Sequence, residues 1–334
     1  MGIREIDRYD EPLLRSWWEV ADRADAVDRP WRAFFSWPSA RETITAGDEA
    51  RDRVLLASFD GPELTGAAEV VLPLLDNTHH GYVSIWVDPS RWRRGIGTAL
   101  LAATDRILGE RDRTTMVVEA PTPVEGPDSP AVAFLGRHGF EVAITDEHRV
   151  LDLPGTEDRW PVLASESAAH HAGYRLLTWF DAVPPEHVEG YCRLQEAFNE
   201  LAPSGDLELE PEKWDAGRVH AKEERFKRIG RHETMSVALA ADGTLAALTE
   251  LMISEHAPER ALQGGTLVLD GHRGHRLGLA VKVANQQAVR VRFPQCRLVH
   301  TWNADVNEQM NAINDRLGFE TVELLHEMQR AVHR

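Results

Sequence analysis

The segment from Tyr82 to Leu101, YVSIWVDPSRWRRGIGTALL, constrains this chain more than any other stretch. An apolar run ends at Asp88, an arginine-rich turn and two glycines follow, and a helix-like apolar pattern then begins. A strand that leads into a helix through such a loop is suited to bind an anion, because loop N–H groups and the helix N-terminus present partial positive charge. Glycine also lets the backbone approach a phosphate closely. The segment therefore predicts a site for a phosphorylated ligand.

A weaker copy of this segment recurs in the second half of the chain, within a long internal repeat. Strand, loop, helix, strand, helix and strand patterns follow in the same order in both halves, and a Gly-Phe pair closes the last helix each time. Glu69 precedes Gly97 by the same offset that separates Glu250 from Gly278. A repeat of this length marks two copies of one domain.

The repeat predicts two domains, residues 1–155 and 174–334, joined by a linker at 156–173 that is small, polar and without clear periodicity. Each copy opens with a helical region, near Leu13–Arg23 and His187–Leu201. Strands that alternate with helices predict an α/β fold with a mixed sheet in each half.

Composition excludes several classes of protein. The chain has 37 Lys and Arg against 54 Asp and Glu, a formal net charge of −17, which argues against nucleic acid as a partner because phosphate contacts need basic surface. No apolar run approaches the ~20 residues of a membrane span, so we expect no membrane partner. The charged N-terminus lacks the apolar core of a signal peptide, and the two cysteines form no disulfide framework. A cytoplasmic protein is expected.

The loop fits neither of two common phosphate-binding motifs. No Gly-Lys-Ser or Gly-Lys-Thr follows the glycines, which argues against a P-loop, and the absence of G-x-G-x-x-G argues against a dinucleotide loop. A simple tight turn stays open, although it does not explain the cluster of Arg91, Arg93 and Arg94 just before a helix start.

The strand end at Val87, the RRGIG loop and a downstream helix that ends in Gly-Phe resemble the GNAT acyl-CoA N-acyltransferases. Because these features occur twice, the chain resembles the tandem two-domain members, a mycothiol-synthase-like arrangement. The resemblance implies two GNAT-like domains, each a mixed, mostly antiparallel twisted sheet flanked by helices. It also implies acetyl-CoA as the cofactor, and transfer of the acetyl or another acyl group to a primary amine of a small molecule by direct attack on the thioester.

In that family the loop pattern is Gln/Arg-x-x-Gly-x-Gly/Ala, which binds the pyrophosphate of coenzyme A. Gly95 and Gly97 match the two small positions, whereas Trp92 occupies the Gln/Arg position, and Arg276 replaces the central glycine of the second copy. We therefore expect the first copy to bind the cofactor. The cofactor-binding residues implied by the resemblance are Ile85, Trp86, Val87, Arg93, Arg94, Gly95, Ile96, Gly97 and Thr98 in the first copy and Val268, Arg273, Gly274, His275, Arg276, Leu277, Gly278 and Asn303 in the second.

Acyl transfer to an amine requires a general base to take the ammonium proton. Glu69 and Glu250 occupy equivalent strand positions and are candidates, and Glu119, near the end of its strand, is a third. A glutamate on a half-exposed strand is more often only a solvated side chain. The family's general acid is a tyrosine four residues before the Gly of Gly-Phe, but Leu135 and Asn314 stand there, which leaves that role unassigned.

Asparagine and histidine clusters have separate interpretations. Asn307 is expected to cap the helix that follows it, whereas Asn303 is expected to contact the cofactor. The histidine pairs at 79–80 and 170–171 are expected in loops without companion ligands, so no metal site is expected.

The acceptor is not readable from the sequence, because the regions that would form its pocket, 17–63 and 186–226, carry no motif. A monomer or homodimer is expected. The alternative is a non-catalytic acyl-CoA-binding sensor or assembly module with degenerate GNAT domains, which the missing tyrosines would fit.

Overall fold

The structure is a computed structural model that describes residues 2–125 and 129–333. Its strands are β1 (Gly2–Glu5), β2 (Arg51–Asp60), β3 (Glu63–Pro73), β4 (His80–Val87), β5 (Thr115–Thr122), β6 (Glu141–Asp152), β7 (Tyr174–Phe180), β8 (Arg231–Ala240), β9 (Leu245–Ser254), β10 (Ala257–Val268), β11 (Leu298–Ala304) and β12 (Glu320–Ala331). Its helices are α1 (Glu11–Asp25), α2 (Trp37–Thr45), α3 (Ile96–Glu110), α4 (Pro130–Arg137), α5 (Trp160–Ala168), α6 (Val188–Leu201), α7 (Ala216–Arg228), α8 (Leu277–Arg292) and α9 (Glu308–Leu317).

The chain divides into two compact units. Unit 1 comprises Met1–Thr145, Ser204–Glu210 and Leu324–Arg334, and unit 2 comprises Asp146–Pro203 and Pro211–Glu323. The strand order is β1-β2-β3-β4-β5-β12 in unit 1 and β6-β11-β10-β9-β8-β7 in unit 2. The strand pairs within each unit are antiparallel except β4–β5 and β10–β11, which are parallel. The predicted α/β fold with two mixed, mostly antiparallel sheets is therefore confirmed.

The last strand of each repeat belongs to the other unit. From Leu324 onward β12 pairs with β5 in unit 1, and from Asp146 onward β6 pairs with β11 in unit 2. The compact units therefore differ from the predicted division at 155 and 174. Sequence similarity aligns strands with their repeat, but it does not say which neighbour completes their hydrogen bonds.

The predicted linker also differs from the structure. Residues 154–159 form a short 3₁₀ turn and α5 follows it. Trp160 and Leu163 lie three residues apart on one face of α5, and both are buried in the core of unit 2. The small and polar residues that follow Leu163, residues 164–169, left this segment without a clear periodicity in the sequence.

Both parallel strand pairs are short. β4 pairs with β5 only from His80 to Tyr82, and β10 pairs with β11 only from Arg260 to Leu262. Beyond these points β4 continues along β3, and β10 along β9, to the strand ends. A gap therefore opens between the two parallel strands of each unit; we call these the unit 1 gap and the unit 2 gap.

Apolar side chains from both faces of each sheet form the cores. In unit 1 one core lies beneath α3 and another beneath α1, where Trp17 packs edge-on against Trp86 of β4, with ring centroids 5.6 Å apart. In unit 2 one core lies beneath α5, α8 and α9 and another beneath α6 and α7. The helices predicted near Leu13–Arg23 and His187–Leu201 are thus the ones that cover one face of each sheet.

Candidate active site

The loop after β4 has the conformation that an anion-binding turn requires. The Asp88 carboxylate accepts a hydrogen bond from the Ser90 N–H at 3.0 Å and starts a short 3₁₀ turn. Arg93 (φ 63°) and Gly95 (φ 80°) are left-handed, and α3 begins directly after Gly95 without a side-chain cap. The free N–H groups of the first turn of α3 are therefore available to a ligand.

The loop after β10 has the same backbone with the glycine at a different place. Here Gly274 (φ 83°) and Arg276 (φ 52°) are the left-handed residues, and α8 begins directly after Arg276. Each copy therefore uses one glycine and one arginine at the two left-handed positions, in opposite order. The arginine that replaces the central glycine has not changed the turn, although a left-handed arginine costs about 1 kcal/mol.

The two loops differ in whether their arginines form ion pairs. Arg93 and Arg94 are exposed and form no ion pair with any residue that the structure describes. In the second loop Arg273 binds Asp270 at 2.9 Å, and Arg276 lies 3.5 Å from Glu166. Only the first loop therefore presents two cations that no described carboxylate neutralises.

The remaining predicted cofactor residues lie around the two loops. Trp92, in the Gln/Arg position, donates from Nε1 to the Val87 carbonyl at 2.8 Å and closes the first loop. His275 Nδ1 lies 3.1 Å from the His170 carbonyl oxygen. Buried or partly buried positions are Ile85, Trp86, Val87, Ile96, Gly97, Val268, Leu277 and Gly278, and Thr98 is exposed. These strand and helix side chains pack in the cores, so their backbone is what could contact a ligand.

Two of the three predicted bases lie in unit 1. The Glu69 carboxylate is ion-paired with the Arg53 guanidinium of the neighbouring strand, and both side chains are largely buried. Glu119 is exposed and stands directly opposite Glu327 of β12. Arg53 therefore neutralises Glu69, whereas Glu119 stands at an exposed position of its strand, and the role of either as a general base stays a prediction.

Glu250, the third candidate, lies at the centre of a buried polar cluster in unit 2. Its Oε1 accepts hydrogen bonds from the Tyr191 hydroxyl at 2.6 Å and the Gln195 amide at 2.9 Å. The Lys222 ammonium lies 3.4 Å from the same oxygen and 2.8 Å from Oε1 of Glu233. We call these five residues the Glu250 cluster.

The Glu250 cluster fixes the charge of its members. Burial alone would lower the pKa of Lys222, but the carboxylates of Glu250 and Glu233 outweigh it and raise that pKa, so Lys222 is a cation. Burial raises the pKa of Glu233 to about 7 against the opposing effect of Lys222. Burial and the Glu250 charge raise the pKa of the Tyr191 hydroxyl, which therefore stays a neutral donor. The cluster thus holds the Lys222 cation between the Glu233 and Glu250 side chains.

A β-bulge places a glycine against the second carboxylate oxygen of Glu250. The register between β9 and β10 shifts between Gln263 and Thr266, and Gly264 and Gly265 lie in this break. A Cβ on Gly264 would lie 3.3 Å from Glu250 Oε2, the oxygen that the cluster does not engage. In the first copy the β3–β4 register is continuous through Glu69. Bulges frequently accompany active sites because they redirect a side chain.

Sequence reasoning missed Tyr191, Gln195, Lys222 and Glu233. They lie on α6, α7 and β8, outside the segments that carry the repeat, and no spacing signalled that they meet Glu250. Among the predicted asparagines, Asn307 caps α9 by accepting from the Met310 N–H at 3.2 Å, as expected.

The predicted loop histidines divide into two kinds. His80 lies at the start of β4 and is fully buried, where burial lowers its pKa to about 4, whereas His170 and His171 follow α5 outside any helix or strand. The prediction of a loop was wrong for His80, because it is the first residue of β4 and pairs with Thr115 of β5. Within residues 2–125 and 129–333, no three His, Cys, Asp or Glu side chains are arranged to hold a metal ion. No helix in the same ranges is long and apolar enough to span a membrane.

Comparison with known proteins identifies a matching family over part of the chain and similar structures over all of it. The sequence model of the acetyltransferase (GNAT) family matches residues 13–140. The chain is similar over 100% of its length to 99% of a tandem GNAT protein from the clavulanic acid biosynthesis pathway, with 27% identity and a TM-score of 0.82. It is also similar over its full length to 96% of a GCN5-related N-acetyltransferase from Sphaerobacter thermophilus, with 16% identity and a TM-score of 0.69.

No curated protein sequence matches the chain. The family model covers the loop after β4 in the first copy, and the first of the two structures covers both copies. Residues 13–140 therefore match the GNAT acetyltransferase family, and the chain as a whole is similar in fold to a tandem GNAT protein.

Proposed function

We propose that the protein is an acyl-CoA-dependent N-acyltransferase that transfers an acetyl group from acetyl-CoA to a primary amine of a small molecule. The observation that carries this proposal is the pair of unneutralised cations, Arg93 and Arg94, at the uncapped N-terminus of α3. A diphosphate is the ligand that such a turn favours, because its charge meets both guanidinium groups and the helix N-terminus.

The residues present fit coenzyme A. The left-handed turn at Gly95 has open space around it, since a Cβ there would meet nothing within 4 Å. The unit 1 gap beside Val87 leaves strand backbone unpaired for an extended amide-containing chain. When bound, acetyl-CoA would supply the activated acyl group. The second loop is suited to the same ligand at lower affinity, because the diphosphate must first displace Asp270 and Glu166.

Glu250 of the second copy is the proposed general base. Its Oε1 is fixed by three donors, whereas its Oε2 lies beside Gly264 in the β10 bulge. A carboxylate held in one orientation, with one oxygen free, is suited to take a proton from an ammonium group, directly or through water. The first copy differs, because among the residues that the structure describes Glu69 is held by Arg53 alone and lacks the hydroxyl and amide donors that fix Glu250. We therefore propose that both loops bind acyl-CoA and that the second copy performs the transfer.

A non-catalytic acyl-CoA sensor is the second candidate, and the first copy favours it. That copy combines the better anion loop with an ion-paired Glu69 and an apolar Leu135 at the acid position. Free-thiol release from acetyl-CoA with a panel of amines separates the two functions. Tight CoA binding without turnover of any amine would support the sensor.

Calorimetry of CoA binding to the full chain tests the loop assignment. Removing both Arg93 and Arg94 (R93A/R94A) should weaken the tighter site about 30-fold, because each exposed charge-assisted contact contributes about 1 kcal/mol. The matched control is R273A/R276A, which should leave that tighter site unchanged. Equal loss in both variants, or no loss in the first, would contradict the assignment.

A further inference from the structure

A chain of polar side chains runs from the core of unit 2 to the unit 2 gap. The Lys282 ammonium on α8 donates to Asn314 Oδ1 at 2.8 Å, and Asn314 Nδ2 donates to Asn303 Oδ1 at 2.7 Å. Lys282 is 1% exposed and Asn314 is fully buried. Asn303 lies in β11 beyond His300, where β11 no longer pairs with β10. The buried lysine is thus connected to the edge of the gap by two amides.

Packing does not require this polar pair, because the first copy does without it. In the repeat alignment Lys282 corresponds to Leu101 and Asn314 corresponds to Leu135. Both leucines are buried in the core beneath α3. The same two helices therefore pack with an apolar pair in unit 1 and with a lysine and an amide in unit 2.

Burial of the Lys282 amine destabilises the folded state. No described carboxylate forms an ion pair with Lys282; its other neighbours are the Met310 sulfur at 3.9 Å and the Phe319 ring at 5.3 Å. Burial, and secondarily the Arg149 charge, lower the pKa of Lys282 to about 7. Arg149 is the charged group that faces it, and Arg149 is itself bound to Glu147 and Asp315. A buried amine kept without a counter-ion points to a function.

Asn314 links this amine to the gap, and the contact with Lys282 strengthens the Asn314 amide as a hydrogen-bond donor. Its amide oxygen receives Lys282, and an amide that donates on one side while it accepts from a cation on the other becomes a stronger donor. An amide nitrogen has two hydrogens, and Asn303 takes one of them. The second hydrogen is not engaged by any residue that the structure describes.

We propose that Asn314, polarised by Lys282, stabilises the leaving sulfur in the second copy; this inference rests on the proposed acyl transfer. The amine nitrogen forms its bond to the acyl carbon while the carbon–sulfur bond breaks. The amine proton passes to Glu250, and the electron pair remains on sulfur, where the Asn314 N–H donates a hydrogen bond. The thiolate then leaves, and solvent protonates it. Asn314 is the catalytic residue in this step, and Lys282 is a positioning residue.

The test introduces the apolar pair of the first copy into the second. The double variant K282L/N314L of the full chain should lower kcat about 10- to 100-fold, since a hydrogen bond to a charged group contributes about 1.5–3 kcal/mol. The dissociation constants for CoA should change less than twofold. Activity of the unaltered protein should fall as pH rises through about 7, where Lys282 loses its charge. This basic limb of the pH–activity profile should be absent from the double variant.

Two further readouts keep folding and catalysis apart. The double variant should melt at the same or a higher temperature, because it removes a buried unpaired amine. L101M, at the matched position in unit 1, should leave kcat and the pH profile unchanged. In the unaltered protein, ¹⁵N NMR of the lysine amines should show one that titrates near pH 7, and K282L/N314L should lack it.

The outcomes distinguish this inference from the function on which it rests. If the unaltered protein acylates no amine, the proposed function fails and this inference fails with it. If the unaltered protein is active and K282L/N314L keeps its kcat and its basic limb, the inference alone is wrong. A lower kcat with a retained limb near pH 7 would also refute the role of Lys282.

Discussion

The Glu250 cluster gives the sharpest stability prediction. Replacing Lys222 with methionine (K222M) keeps the length of the side chain but leaves Glu233 and Glu250 buried without their cation. The ammonium lies 2.8 Å from Glu233 Oε1, a gross attraction of about 6 kcal/mol at an effective dielectric constant of ~20. The Lys222 side chain is 19% exposed, so solvent and relaxation reduce this value. We expect a loss of about 3–5 kcal/mol, as for other broken buried pairs.

Thermal unfolding followed by circular dichroism measures this effect. At pH 7 the Tm of K222M should fall by ~6–20 °C, since 1 kcal/mol corresponds to roughly 2–4 °C for a protein of this size. The matched control is K227M, an exposed lysine on the same helix, which should shift Tm by less than about 2 °C. A K222M shift no larger than that of K227M would refute the reasoning.

Two further predictions concern pH and domain structure. The pKa of Glu233 is raised to about 7 in the folded chain, so the folded state binds more protons than the unfolded state between about pH 5 and 7, and stability should fall by on the order of 2 kcal/mol as pH rises through that window. Denaturant titrations at pH 5 and pH 7 measure this difference in the free energy of unfolding, and E233Q should remove it. If the difference is unchanged in E233Q, Glu233 is not its cause. A fragment of residues 1–155 lacks β12, the partner of β5, and should show no cooperative thermal transition. A cooperative melt of that fragment would contradict the strand exchange.

The local features of the fold were predictable because each depends on residues close together in the chain. The strand–loop–helix segment around Gly95 predicts the turn, and the structure has it. Asn307 caps its helix as its position predicts. The helices that open each copy also formed where the apolar pattern indicated. β1, β2, β7 and β8 were missed, since none of them carries a motif of the repeat.

The candidate site was only partly predictable, because its chemistry depends on partners far apart in sequence. Glu69 and Glu250 are equivalent in the repeat, but Arg53 neutralises the first, and Lys222 and Tyr191 position the second. No spacing rule links Glu250 with α6 or α7, so its environment could not be read from the sequence.

The sequence by itself determined that two copies of an α/β domain are present and that each carries a loop suited to an anion. Those conclusions follow from periodicity, glycine placement and repeated order, which act over short stretches of chain. Only the tertiary structure decided which arginines stay unpaired, which glutamate is free of a neutralising arginine, and which unit completes each sheet. These properties follow from contacts between distant segments, such as β12 with β5 and Lys282 with Asn314, and those contacts exist only once the chain has folded.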